Sequence, residues 1–475
     1  MGISLKIGCD RSLGGRLREK RPSLPAKPVW SFSHFEHQRD EQRADLMKKH
    51  WILIIICMVF LMPGPVFGEE TIKSGERLKL ERCVEIALTK HPDIMAAAHQ
   101  VRIGDSRIGQ ARSGYFPQVN METGYDRTQA YKSGVSNLSG ESATDFYSGR
   151  LVLSQNVFDF GRTPAKVGIA HLNRDAFRQD LADVTSLVVL NVKQSYHAML
   201  QAEENRRVAQ ETVDQFQRHL DIAKGFFEVG LKPKFDVTKA EVDLSNARLS
   251  LIKAENALRI GRVTLNNAIG VPDAPEYVLD NNLLFERYEP SYPDALQKAY
   301  DNRPDLQSLL YRETAARKSL DLAQAGHYPT LTGQANYGYG GRDFPLGEGW
   351  SVGGSLNLPI FSGYLVENQI SESKANIDVL SANVESLKQQ IRLEIDQAFS
   401  NLRETTSRIE TTELTVRQAR ENLELAEGRY ASGLGSPIEV TDALLALSNA
   451  RTANISALAD YRNALAALER AIGVK

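Results

Sequence analysis

The chain has 475 residues, of which 57 are basic and 59 acidic, so its formal net charge is −2. A balance without a dominant sign argues against nucleic acid as a partner. The hydrophobic fraction is 42% and the mean hydropathy is −0.33. No apolar run reaches the roughly 18 to 20 residues that a membrane-spanning helix needs. If the protein crosses a membrane, we expect it to do so as β-strands.

The N-terminal region contains a predicted export signal. Two lysines precede the apolar run 51–62, which is followed by prolines and by small residues that end at Gly68. This order is typical of a secretory signal peptide, which we assign to 47–68, and the run is too short for the alternative, an anchor helix. Residues 1–46 have scattered charge, several prolines and no hydrophobic periodicity, so we expect a disordered or non-native extension there.

The remainder of the chain contains two copies of one plan. The segment 237–271 can be laid on 440–474 without a gap, and both segments contain the sequences LSNAR and AIGV in register. Self-similarity of this kind indicates a repeated structural unit. We predict a first repeat over 69–271, an irregular linker over 272–292 and a second repeat over 293–475.

Each repeat contains two segments in which apolar and polar residues alternate, the pattern of paired β-strands. The strands would have about 10 to 12 residues, the length of tilted membrane strands. The polar side includes Asn120, Gln334 and Asn357. The predicted apolar side comprises Val119, Met121, Tyr125, Leu151, Leu153, Tyr337, Trp350, Leu356 and Leu358. An ordinary soluble hairpin packed on helices is the alternative.

A helix of unusual length follows each strand pair, over about 164–229 and 363–431. At 1.5 Å per residue, roughly 65 residues extend about 100 Å. Apolar residues recur every seven positions, which predicts coiled-coil packing. These positions are Ile395, Leu402, Ile409, Val416, Leu423 and Tyr430 in the second repeat and Val192, Met199, Val213, Leu220 and Phe227 in the first. Glycine-containing turns then lead into a returning helix.

The predicted fold is therefore long antiparallel coiled-coil helices combined with four membrane β-strands per chain. Four strands cannot close a barrel, and lipid tolerates no open sheet edge, so other copies must complete it. Because the smallest barrels have about eight strands, a dimer is the minimum and a trimer would supply about twelve.

The sequence resembles the TolC family of outer-membrane efflux proteins. The resemblance lies in the duplicated element order, in the motifs 158–161 and 361–363 before the long helices, and in the turn motifs 226–236 and 429–439. It implies a homotrimer with one twelve-stranded barrel in outer-membrane lipid and a helical tunnel in the periplasm. It also implies docking to a periplasmic adaptor and to an inner-membrane pump or ABC exporter. The implied function is a passive exit duct for tripartite efflux or type I secretion.

The resemblance also implies functional positions at the ends of the long helices. The adaptor-docking tips would be Gly230, Leu231, Gly433 and Leu434, with Asp236 and Tyr430 as neighbours of the gate. Acidic residues would ring the narrowest point at Glu439 and Asp442, three residues apart on one helix face.

Two features of the second turn leave this assignment open. Residues 436–439 also fit a capping box with Pro437 at the first helical position, so Glu439 could serve the backbone instead. Some family members hold the entrance shut with an arginine near this turn, whereas this chain has Gly435 there.

No enzymatic or cofactor motif accompanies these features. The nine histidines are dispersed, without a metal-binding spacing or a phosphate-binding glycine loop, so neither a cofactor nor a metal is expected. His197 and His219 are expected to be solvated or to lie in helix interfaces. The alternative functions are a periplasmic coiled-coil adaptor, which would have one helical hairpin and no amphipathic strands, and an exported scaffold protein.

Overall fold

The computed structural model describes residues 72–129 and 143–474. The predicted extension and signal peptide lie outside these residues. The first repeat contains β1 (Arg77–Leu78), α1 (Leu80–Lys90), α2 (Pro92–Arg112), β2 (Gln118–Thr128), β3 (Thr144–Phe158), α3 (Arg162–Glu228) and α4 (Lys234–Ala268). The linker contains β4 (Val278–Leu279). The second repeat contains α5 (Tyr292–Asn302), α6 (Pro304–Gln324), β5 (Thr330–Gly341), β6 (Gly347–Asn357), α7 (Leu365–Ala431) and α8 (Pro437–Ile472).

The two strand pairs form one four-stranded antiparallel sheet in the order β2-β3-β5-β6. At one level of this sheet, Met121 pairs with Leu151, Leu151 with Tyr337, and Tyr337 with Trp350. Because side chains alternate between faces, this register puts the predicted apolar residues within the strands on one face. Leu358 differs, since β6 ends at Asn357.

The long helices α3 and α7 have 67 residues each, as the absence of interior proline predicted. Most of the seven-residue positions are buried along both helices. Phe227 is an exception at 43% exposure, and Phe226 packs into the core in its place. Thr212 and His219 are buried as well, and Phe226 follows them at spacings of seven, so a second heptad position carries the core contact near the helix end.

The first long helix begins at a cap that the Phe158–Gly161 motif provides. The Asp159 carboxylate accepts a hydrogen bond from the backbone N–H of Thr163 at 2.7 Å and another from its hydroxyl. Gly161 adopts a φ of 89°, which favours glycine because a side chain would be strained there. The same junction is tied to the second repeat, because Arg162 donates to the carbonyls of Ala325 and Tyr328 at 3.0 and 2.9 Å.

The linker is more ordered than its prolines suggested. Its strand β4 pairs in parallel with β1, which joins the start of the first repeat to the segment between the repeats. The hydroxyl of Tyr196 lies within hydrogen-bond distance of the carbonyls of Leu78 and Asp280, at 3.1 and 2.6 Å, so α3 is fixed to β1 and to the residue that follows β4. Tyr277 and Leu283 are buried against the same cluster.

Within the described ranges, no helix has both the length and the apolar character to span a membrane.

Candidate functional site at the helical tips

The first tip is the turn between α3 and α4, and glycine closes it. Gly230 has a φ of 77°, and its N–H donates to the carbonyl of Phe227 at 3.0 Å. The N–H of Leu231 reaches the carbonyl of Phe226 at 2.8 Å, which completes a Schellman motif. These hydrogen bonds involve only the backbone, and Leu231 is 70% exposed.

The second tip, between α7 and α8, has the same geometry. Gly433 has a φ of 76°, its N–H donates to Tyr430 at 3.0 Å, and the N–H of Leu434 donates to Arg429 at 3.0 Å. Leu434 is 78% exposed. The four predicted tip residues therefore occupy equivalent places in two turns, and each turn presents one leucine to its surroundings.

The two predicted acidic residues lie at the start of α8, and both are exposed. The Ser436 hydroxyl caps this helix by accepting from the N–H of Ile438 at 3.2 Å. In a capping box, the Glu439 carboxylate would in turn accept a hydrogen bond from the backbone N–H of Ser436. Instead, this carboxylate pairs with Arg429 at 3.3 Å. Glu439 is thus part of an ion pair across the second turn, and Asp442 adds a carboxylate one helical turn further along.

The predicted gate neighbours, Asp236 and Tyr430, lie close together next to the tips, in the first turn of α4 and the last turn of α7. Both are buried, at 5% and 2% exposure. Burial, followed by the charge of Asp236, raises the pKa of Tyr430. His219 packs on the same ring, with 5.1 Å between the ring centres, and burial lowers its pKa. In the described part of the chain, the Tyr430 hydroxyl and His219 Nε2 have no hydrogen-bond partner.

Both histidines singled out in the sequence lie in helix interfaces rather than in solvent. His197 is buried, and its Nδ1 lies 3.0 Å from the side-chain oxygen of Asn463 on α8. Among the residues that the structure describes, no group of three or more potential ligands could hold a metal ion.

Sequence reasoning missed two cations at the tips, Lys232 and Arg429. Lys232 lies in the first turn, and its Nζ contacts the second turn at the carbonyl of Gly435. Arg429 pairs with Glu439 across the second turn. Neither contact follows a sequence spacing that could reveal it, because each depends on how the chain closes its turns.

A sheet with one apolar face, joined to paired helices about 100 Å long, defines a class of protein: the subunit of an outer-membrane channel with a helical tunnel. The described helices and strands have this arrangement in both repeats.

The chain belongs to the outer membrane efflux protein family, whose model matches residues 83–271 and 295–474. It is an outer-membrane channel subunit that serves efflux or secretion, as the resemblance in the turns and the duplicated plan predicted.

Known relatives match along most of their length. Outer membrane protein TolC of Escherichia coli (strain K12) is 26% identical over 395 residues, which cover 79% of this chain and 78% of that protein. Toluene efflux pump outer membrane protein TtgC of Pseudomonas putida is 24% identical over 386 residues, 79% of each protein. Among solved structures, the outer membrane protein VceC of Vibrio cholerae superposes with a TM-score of 0.72 at 21% identity, covering 83% of this chain and 96% of that one.

Proposed function

We propose that three copies of this chain assemble into one passive exit duct, with the sheet in outer-membrane lipid and the helices forming a tunnel in the periplasm. The observation that carries the proposal is the sheet order β2-β3-β5-β6, in which β2 and β6 are the outer strands. An outer strand in lipid needs a partner for its backbone groups. Because the strands alternate in direction, β6 of one copy would run antiparallel to β2 of the next, so the arrangement can repeat until it closes.

The number of copies follows from barrel size and from the family. Two copies would supply eight strands and three would supply twelve, both within the range of known membrane barrels, about 8 to 26 strands. The family resemblance favours three. The polar face of the sheet, which contains Asn120 and Asn336, would then line the interior.

We assign the tips to the periplasmic end, where they would dock an adaptor that connects the duct to an inner-membrane pump or ABC exporter. Two exposed leucines at equivalent positions offer each copy two similar docking points. The relative from Pseudomonas putida is named as part of a toluene efflux pump, which supports a pump partner.

We further propose that Asp442, with Glu439, lines the constriction of the entrance. Their face of α8 is exposed in the single chain. Three copies would bring these carboxylates around one opening, where they would favour cations.

The assembly is tested by native mass spectrometry of the detergent-purified protein, followed by recording in planar bilayers. The expected result is a mass of three chains and one conducting unit per trimer. A conducting dimer would contradict the stoichiometry, and a monomer without conductance would contradict the channel.

Adaptor docking is tested with a photo-crosslinking amino acid at Leu231 or Leu434 in the native host. We expect crosslinks to one periplasmic protein with a long helical hairpin. Gly230→Val and Gly433→Val should weaken these crosslinks, because a β-branched residue is strained at positive φ. Gly428→Ala is the matched control, since Gly428 lies within α7 and a β-carbon there meets no atom within 4 Å. Undiminished crosslinking in both valine variants would leave the turns as helix ends only.

A further inference from the structure

We propose that Lys232 is a positioning residue that fastens the two turns of one protomer to each other and so keeps the entrance narrow at rest. The inference rests on the proposed role of the tips as the entrance. Lys232 belongs to the first turn, and it contacts Gly435 in the second turn and Tyr430 at the end of α7. Its Nζ lies 3.5 Å from the carbonyl oxygen of Gly435, to which it donates, and 5.6 Å from the centre of the Tyr430 ring. A cation in this position is attracted by the negative face of the ring.

The second turn has no room for a side chain at position 435 that could hold the entrance shut. We call the contact of Lys232 with Gly435 and Tyr430 the latch. A β-carbon on Gly435 would lie 2.8 Å from the backbone nitrogen of Tyr430 and 3.1 Å from the carbonyl carbon of Arg429. Both obstacles are backbone atoms, which cannot rotate away as a flexible side chain can. An arginine at this place would therefore require a different turn. Lys232 brings a cation to Gly435 from the first turn instead.

The ring that Lys232 contacts is held in place by its surroundings. Tyr430 is 2% exposed, and the rings of Phe226 and His219 pack on it at 5.6 and 5.1 Å between centres. Its hydroxyl has no partner among the described residues. Tyr430 thus contributes the face of its ring to the contact rather than its hydroxyl.

The contact lies where separation of the two helical pairs would begin. An apolar cluster shared by α3, α4, α7 and α8 ends at Tyr430. The seam between the pairs also carries polar contacts. Glu211–Arg451 at 2.6 Å and Thr212–Ser448 at 3.1 Å lie farther from the tips than the cluster, and Asp243–Thr441 at 3.0 Å lies within it. A ring built from these pairs would widen at the tips if the two pairs of each copy moved apart. Lys232 joins the turns beyond the end of the cluster, and a half-buried contact of 3.5 Å can release without unfolding the core.

The test compares resting conductance in planar bilayers for assembled trimers of equal yield. Lys232→Gln removes the cation, and we expect the resting open fraction to rise about fivefold, which corresponds to about 1 kcal/mol. Lys232→Arg keeps a cation and a donor and should stay at the parental level. Lys234→Gln, which changes an exposed lysine two residues away, is the matched control.

Chemical rescue separates the latch from a general effect on packing. Lys232→Cys should conduct like Lys232→Gln, and alkylation with 2-bromoethylamine after assembly rebuilds a lysine-like ammonium that should restore the parental resting level. Iodoacetamide adds a neutral group and should not. Cys83 is the remaining cysteine after Gly68. It does not compete for the reagent because burial, with the nearby charge of Glu81, raises the pKa of its thiol to about 12.

Parental conductance in both Lys232→Gln and unmodified Lys232→Cys would overturn the latch, as would equal effects of the two reagents. If the parent protein itself formed no channel, the proposed function would fail instead, so the two failures are distinguishable.

Discussion

Gly270, just beyond the end of α4, lies directly against the backbone of His91 at the junction of α1 and α2. A β-carbon on Gly270 would lie 3.0 Å from the Cα of His91, and Gly270 has a φ of 74°. The second repeat reproduces this relationship, because a β-carbon on Gly473, with a φ of 76°, would lie 3.0 Å from the backbone nitrogen of Arg303. In each repeat, the end of the returning helix thus packs against the junction of the two short helices.

This contact makes Gly270 intolerant of a side chain. Gly270→Ala should destabilise the fold by about 1 to 2 kcal/mol through backbone strain and by about 1 to 3 kcal/mol more through overlap with His91. Gly75→Ala is the control, since Gly75 has a φ of 80° but a β-carbon there meets no atom within 4 Å. Urea unfolding in detergent measures both variants. An equal loss in the two would show that strain alone acts at Gly270.

The faces of the sheet predict which substitutions the membrane tolerates. Leu153 pairs with Val119 and Ala335 on the apolar face, whereas Asn120 and Asn336 lie at one level of the other face. Leu153→Arg should cost about 2 to 4 kcal/mol near the bilayer midplane, while Asn120→Arg should assemble nearly normally. The yield of heat-modifiable trimers in outer-membrane fractions is the measurement. Similar yields for both variants would mean that the faces are assigned wrongly.

The ion pair between Arg429 and Glu439 refines the expected ion selectivity of the entrance. Because Arg429 neutralises much of the Glu439 charge at 3.3 Å, Asp442→Asn should reduce cation preference more than Glu439→Gln does. Arg429→Gln should raise cation preference by releasing the Glu439 charge. Reversal potentials under a salt gradient at low ionic strength report all three. An unchanged potential in Asp442→Asn would remove Asp442 from the constriction.

The buried position of His219 predicts that acid destabilises the packing of the long helices near the tips. Burial lowers the pKa of His219 below its usual 6.5, although the charges of Asp243 and Asp236 oppose this and that of Lys239 adds to it. The unfolded chain therefore binds more protons as the pH falls through about 6.5, so stability should be full above that pH and decline below it. The urea midpoint, measured from pH 7.5 to 5.5, should fall less steeply in His219→Gln than in the parent. His197→Gln is needed beside it, because burial also lowers the pKa of His197. An identical slope in His219→Gln and the parent would contradict the assignment.

The sequence alone determined the repeated plan, the long helices and the faces of the strands. These features depend on periodicity. Even spacings put Val119, Met121 and Tyr125 on one face of a strand, and a spacing of seven marks Ile395, Leu402 and Ile409. Glycine and proline also act locally, so the turns at Gly230 and Gly433 could be located without knowing what they face.

Only the tertiary structure decided which groups meet across the turns and between the repeats. The pairing of Glu439 with Arg429, the burial of Asp236 beside Tyr430 and the reach of Lys232 to Gly435 join residues on different helices or turns. Such contacts depend on the directions in which two helix ends emerge from their turns, and small changes in a turn would redirect them. No periodicity records these directions, because they result from packing the whole chain at once.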